Sequence, residues 1–177
     1  MEPNFDLTPQ SIWNYFQNIA SDPRHPARVL TLANIDLQGQ PQARSVILRE
    51  ADPWLLSIYT DSRSPKVSEL ANDPNAQLLF WDQQQRWQLR CSASAQLVTD
   101  ESTLAELWLK IESSASAQDY LGAQPPGELL QSGLDSRTEP ALAILRFHVT
   151  EIDWLALDRA GHKRKRLTPD GVQALVP

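Results

Sequence analysis

The chain has 177 residues, a length that suits one domain with a real core. Its net charge of −6 argues against a general nucleic-acid binder, which needs a basic surface, although it leaves room for a local basic pocket. The single cysteine, Cys91, excludes an internal disulfide and a cysteine-rich metal centre; no apolar run approaches a membrane span, and the start MEPNFDLTPQ lacks a signal peptide's basic and apolar regions, so a cytoplasmic protein is expected.

Thr8-Pro9 predicts a helix start, by cap and by first-turn proline. Ile12, Tyr15, Phe16 and Ile19 then recur at helical spacing, so one face packs on the rest of the chain. Asp22 to Pro26 breaks that helix. Arg28 to Ile35 reads as a strand, Asp36 to Pro41 as a turn, and Gln42 to Arg49 as the returning strand of a hairpin. Leu55 to Thr60 is a third strand. The loop Asp61-Ser62-Arg63-Ser64-Pro65-Lys66 gathers hydroxyls and cations before a short helix, Lys66 to Ala71. Pro65 suits the first helical position and Ser64 the cap, with Val67, Leu70 and Ala71 facing inward. Free N–H groups, two hydroxyls, Arg63 and Lys66 make an anion site plausible there. The same residues also suit a capped helix with a solvated basic loop.

Ala76 to Trp81 is a fourth strand, and Asp82 to Gln85 a polar turn. Trp87 to Val98 is a long fifth strand whose small central residues let a backbone or ligand come close. Thr99-Asp100-Glu101 opens a helix with Leu104, Leu107, Trp108 and Ile111 on its inner face. Ser113 to Ala117 interrupts it, and a short helical piece runs on to Leu121. Gly122 to Pro140 is an extended loop, of a length that is usually functional or mobile. Leu142 to Asp153 is a strand that can continue to Leu157. His162 to Leu167 and Val172 to Val176 follow, each after a turn. About seven short strands with two or three peripheral helices predict a mainly β fold, an antiparallel barrel in a single domain over 1–177.

The scattered histidines His25, His148 and His162 offer no metal-ligand spacing, and no metal is expected. There is no nucleophile elbow and no glycine-rich phosphate loop. No catalytic side chain can be named; if the chain is an enzyme, the hard chemistry belongs to a cofactor.

Arg44-Ser45-Val46-Ile47-Leu48-Arg49, then Tyr59-Thr60, then Ser64-Pro65-Lys66 resemble the first flavin-binding block of the pyridoxamine 5'-phosphate oxidase-like FMN-binding family. Pro65 stands where that family often has arginine, and Arg49 where it has lysine. Gln88 matches a glutamine of the next strand if Trp87 is an insertion. Trp154 and His162-Lys163-Arg164 reproduce the spacing of the closing block, and Ala174-Leu175-Val176-Pro177 echoes its end.

The resemblance covers roughly residues 25–177. It implies a split β-barrel with peripheral helices, FMN as cofactor, and a homodimer with FMN at the subunit interface. It assigns Arg44 to Arg49, Tyr59, Thr60, Ser64, Lys66, Gln88, Trp154 and Arg164 to the cofactor, the last two from the second chain. Cations at Arg44 and Lys66 and hydroxyls at Thr60 and Ser64 suit a phosphate. Arg49 and His162 are left for the substrate. In the family's substrate-phosphate site, this chain has Trp108 for a tyrosine, Glu112 for an arginine, Ser116 for the serine and Ala160 for a second arginine. The implied protein is an FMN-dependent oxidoreductase not built for pyridoxamine phosphate. A flavin-binding carrier, sensor or subunit without turnover is the alternative.

Overall fold

The computed structural model describes residues 7–177. Helix α1 (Pro9–Ser21) begins at Thr8. The Thr8 hydroxyl accepts from the Ser11 N–H, and the Ser11 hydroxyl accepts from the Thr8 N–H, so two otherwise orphaned donors are satisfied reciprocally. The helix buries Ile12, Trp13, Phe16, Ile19 and Ala20. Tyr15 is half-buried and donates its hydroxyl to Asp82.

The strands are β1 (Val29–Ile35), β2 (Pro41–Asp52), β3 (Leu55–Asp61), β4 (Asn75–Asp82), β5 (Trp87–Val98), β6 (Leu142–Ala156), β7 (Lys163–Thr168) and β8 (Gly171–Leu175). That is eight among the described residues, where about seven were expected. All neighbours are antiparallel, in the order β3-β2-β1-β4-β5-β6-β7-β8, and β6 also pairs with β3. Six strands, β1 to β6, therefore close into a ring, which removes their open edges.

Strand β6 joins the barrel to an outer arm. Leu142 to His148 pair with β3, while Ile152 to Ala156 pair with β7. Strand β5 lines the other edge of β6 on both sides of a bulge, where Ser92 faces Glu151 and Ala93 faces Val149. Thr150 is the extra residue, and its hydroxyl donates to the Ser92 carbonyl. The bulge turns the second half of β6 away from β3 and toward β7.

Alternate side chains fill the ring: Leu32, Leu48, Ile58, Leu78, Phe80, Leu89, Cys91 and Phe147 are almost fully buried. Each large one stabilises the fold by roughly 1.5–3 kcal/mol relative to exposure. Phe16 of α1 packs on Phe80, with ring centres 4.9 Å apart. A second cluster lies outside the barrel. Helix α3 (Glu101–Ile111) sets Leu104, Leu107, Trp108 and Ile111 beside Tyr120, Leu142 and Ile144. The inner face read from the sequence is thus observed. A 3-10 turn, Ala115–Tyr120, follows, and 122–141 contain no helix or strand.

Helix α2 (Pro65–Asn72) packs on β1 and β5. Two details differ from expectation. Ala71 is exposed, and Glu69 is buried with Val67 and Leu70. Ser64 occupies the cap position, but its hydroxyl makes no cap hydrogen bond.

Candidate cofactor and substrate site

Strands β2 and β3, the start of α2 and the 3-10 turn enclose a cavity of about 230 Å³. Ser45, Val46, Ile47 and Arg49 of β2 form one wall, and Tyr59 and Thr60 of β3 form another. Lys66 stands at one end, with Asp61, Asp119, Tyr120 and Pro126 completing the lining. The structure thus brings together most of the first predicted block.

Lys66 is the electrostatic centre of this cavity. Its ammonium donates to the Thr60 hydroxyl at 2.9 Å and to the Ser64 hydroxyl at 2.5 Å. Both hydroxyls are buried, at 8% and 6% exposure. Among the described residues, no carboxylate forms an ion pair with Lys66. Burial, and next the charge of Arg44, lowers the Lys66 pKa below the ordinary lysine value. Asp61 and Glu69 act on Lys66 only through their charge, so a half-buried ammonium on two neutral hydroxyls, in no ion pair among the described residues, suits a phosphomonoester as partner.

Arg44 and Arg63 are used differently. The buried Glu69 carboxylate accepts from Arg44 at 3.2 Å and from the Asn34 amide at 2.9 Å, and Arg44 also donates to the Asn34 oxygen. Arg44 faces this buried group and does not line the cavity. Its charge still acts on Lys66. Arg63 donates Nε and a terminal nitrogen to Asp61, at 3.0 and 2.6 Å. Two of its three other hydrogens go to the Gly122 and Ala123 carbonyls. Arg63 is therefore tied to Asp61 and to the segment after the 3-10 turn.

At the other end Arg49 lies over the Tyr59 ring, 5.7 Å from its centre. Its Nε–H is buried with no hydrogen-bond partner. An unpaired buried donor costs about 1–3 kcal/mol, so it marks a place for an acceptor. Leu48 turns inward and is fully buried in the core.

Gln88, Trp154 and Arg164 lie elsewhere. Gln88 pairs with Trp81 on β4 and Leu155 on β6, and Leu155 pairs with Arg164 on β7. Side chains in such a row share one face. It is the outer face, because the alternate residues Leu89 and Trp154 are buried inside. Arg164 grips Asp153 through two bonds, at 2.9 and 2.6 Å, and Arg90 shares that carboxylate. These bonds, Arg164's first, hold the Asp153 pKa below the usual carboxylate range. Trp154 packs edge-on against Trp87 at 5.5 Å, and its Nε–H is buried without a partner. His162 is exposed just before β7, its Nδ1 accepting from the Asp158 N–H.

In the ring β3-β2-β1-β4-β5-β6, strands β2 and β5 are three apart in either direction. Gln88 therefore sits across the barrel from the β2 wall of the cavity. A larger hollow, about 470 Å³, lies along β1, β4 and β5 among Ala33, Gln77, Ser92, Ser94 and Thr150. Its uncharged lining offers hydroxyls and amides but no cation for a phosphate, so size does not mark the site here.

Residues 10–99 match the family description "Pyridoxamine 5'-phosphate oxidase, FMN-binding domain". The chain belongs to this FMN-binding family. Its cofactor is FMN and its fold the family's split barrel. A pyridoxine/pyridoxamine 5'-phosphate oxidase from Cyanothece sp. is 30% identical over 136 residues, spanning 77% of this chain and 56% of that protein. One from Microcystis aeruginosa is 32% identical over 89 residues, spanning 50% and 42%. The matches thus span about half the length of these curated relatives. Two solved structures share the fold. A pyridoxamine 5'-phosphate oxidase-related, FMN-binding protein from Nostoc punctiforme aligns over 95% of this chain and 97% of its own, with TM-score 0.76 and 20% identity. PhzG from Burkholderia lata, solved with tetrahydrophenazine-1-carboxylic acid, aligns over 96% and 92%, with TM-score 0.77 and 21% identity.

Sequence reasoning missed Glu69, Asn34, Asp61, Asp119 and Tyr120. Glu69 carried one usable signal, a carboxylate three residues after Lys66 and so on a neighbouring helical position. Asp61 carried another, lying two residues before Arg63, which it binds; Asn34, Asp119 and Tyr120 reach the site only through the fold.

Proposed function

We propose that the chain is an FMN-dependent oxidoreductase whose substrate is not pyridoxamine 5'-phosphate. The observation that carries the reading is Lys66, half-buried on two hydroxyls with no carboxylate of its own. In this reading Lys66, Thr60 and Ser64 take the FMN phosphate. Ser45, Val46 and Ile47 support the flavin, and Tyr59 closes its side. Arg44, held by Glu69, adds positive potential from behind. Bound FMN supplies a two-electron acceptor for hydride from a small organic substrate.

A second copy of the chain completes the site. Gln88 and Arg164 share an outer face across the barrel from the cavity, so they reach a ligand of another copy more readily than their own. Exposed Trp81, next to Gln88 in that row, gives the face an apolar contact surface. Trp154 supports the row from inside. A homodimer with two shared sites is the arrangement this favours. Among the described residues no helix is long and apolar enough to cross a membrane, and a cytoplasmic setting fits a single buried cysteine.

The substrate end has Arg49 from one copy and His162 from the other. Glu112 is exposed at the end of α3, and Ala160 carries no charge. A phosphate dianion needs more cations than this end provides. Purified protein should be yellow, or should quench FMN fluorescence on titration. FMN-loaded protein should be reduced by a hydride donor yet form pyridoxal 5'-phosphate poorly from micromolar pyridoxamine 5'-phosphate. Absence of flavin binding sinks the reading. Efficient pyridoxal phosphate formation sinks its substrate half alone.

A further inference from the structure

The long segment between the 3-10 turn and β6 crosses the phosphate end of the cavity as a tied strap. Pro126 lines the same cavity as Lys66. A side chain on the next residue, Gly127, would come within 3.9 Å of the Pro65 ring, so the strap lies against the first residue of α2. Gly127 has φ +94°, a conformation that suits glycine.

The strap is tied at both ends to one turn. Arg63 donates to the Gly122 carbonyl at 2.9 Å and to the Ala123 carbonyl at 3.3 Å, while Asp61 holds the other side of the guanidinium. At the far end, the Ser62 N–H donates to the Ala141 carbonyl at 2.8 Å. Gln124 braces the middle, donating to the Leu129 carbonyl at 2.9 Å and accepting from the Gln131 N–H at 2.7 Å. Asp61 is 6% exposed, so its charge needs Arg63. The planar fork of arginine serves a carboxylate and two carbonyls at once, which lysine cannot do.

The geometry points to this strap, with Arg63 as its clip, as the element that admits a flavin ending in one phosphate and rejects a flavin extended beyond it. The inference rests on Lys66 as the phosphate partner. A dinucleotide flavin continues from that phosphate through a second phosphate to an adenosine. Beside Lys66 the continuing chain meets Pro126 and the Pro65–Gly127 contact.

The test measures binding of FMN, FAD and riboflavin by fluorescence quenching. The variants are Lys66→Met, Arg63→Lys, and replacement of Gln124–Gln131 by two glycines. Arg63→Lys keeps the charge opposite Asp61 and loses the fork. The replacement removes the half-buried Gln124 and Pro125 and the exposed residues 126–131, Pro126 among them, all outside the strands of the barrel. Wild type should favour FMN over FAD by about a hundredfold or more, and both strap variants should narrow that ratio by about tenfold with riboflavin binding unchanged. Lys66→Met should weaken FMN toward the riboflavin level. Wild-type FMN affinity in Lys66→Met overturns both the phosphate assignment and the strap inference. A loss in Lys66→Met with an unchanged FMN to FAD ratio in both strap variants overturns the strap inference alone.

Discussion

Replacing Glu69 with alanine removes the one carboxylate that holds Arg44. The Glu69 side chain is 9% exposed and that of Arg44 24%. Without Glu69, Arg44 and the Asn34 amide each lose an acceptor, the first at 3.2 Å and the second at 2.9 Å. Breaking a fully buried ion pair costs about 3–5 kcal/mol. Water reaches a quarter of Arg44, so the expected loss is nearer ~2 kcal/mol. For a domain of this size that lowers Tm by about 4–8 °C. Glu69→Gln keeps an oxygen for both donors and gives up only the charge, so it should lose about half as much. Arg44→Met combined with Glu69→Leu removes both charges and should recover most of the stability. Urea and thermal unfolding of the flavin-free protein, followed by circular dichroism, give all four values. If alanine and glutamine cost the same, the hydrogen bonds to Arg44 and Asn34 contribute nothing and the account of Glu69 fails.

FMN affinity should fall as pH rises, and at a lower pH than an ordinary lysine would dictate, because burial holds the Lys66 pKa below the ordinary value. For the flavin-free fold the sign is opposite: Lys66 is penalised while charged, so its contribution to stability improves as pH rises through the lowered pKa. Lys66→Met should abolish the alkaline decline in an FMN titration; a decline that persists assigns it to another group. Asp153→Asn should cost about 1–2 kcal/mol near neutral pH, discounted because its arginine partners are 31% and 44% exposed. The depressed Asp153 pKa gives stability that is present above the ordinary carboxylate range and lost as pH falls through the lowered value. The gap between wild type and Asp153→Asn in urea unfolding should therefore close in strong acid. Cys91 is fully buried, and burial pushes its thiol pKa up, so a thiol reagent should label it in denatured protein and leave the native fold unmodified.

Local structure was largely legible because local rules decide it. Strand β5 runs from Trp87 to Val98 as its alternation and flanking polar turns predict. Helix α3 presents the inner face that its spacing describes. A barrel was expected, but the strand pair that closes it was not legible, since nothing in Leu55 or His148 says that they pair. The candidate site divides the same way. Lys66, Thr60 and Ser64 lie within one turn and meet as read. The partner of Arg44 is Glu69, on another element and brought in by the packing of α2. Burial hid that carboxylate from a reading that assigns charged helix residues to solvent. Arg63 looked like part of the anion site because its partners Gly122 and Ala123 lie far along the chain.

The double duty of β6 bears on how the chain comes off the ribosome. Before β6 emerges, β1 to β5 can form a sheet in the order β3-β2-β1-β4-β5, with β3 and β5 at its margins. Both margins await the same late strand: Leu55 pairs with His148 and Trp87 with Ala156. Between the emergence of β5 and that of β6 the nascent sheet thus carries two unpaired rows of N–H and C=O groups, which are templates for pairing with neighbouring chains. Closure across such a long separation is slow. The segment 10–99 that carries the family match ends before the closing strand, so it is a recognisable piece of sequence without being a unit that folds alone. Expressed by itself it would aggregate, and the whole chain should depend on chaperones most strongly in the interval before residue 156 is free.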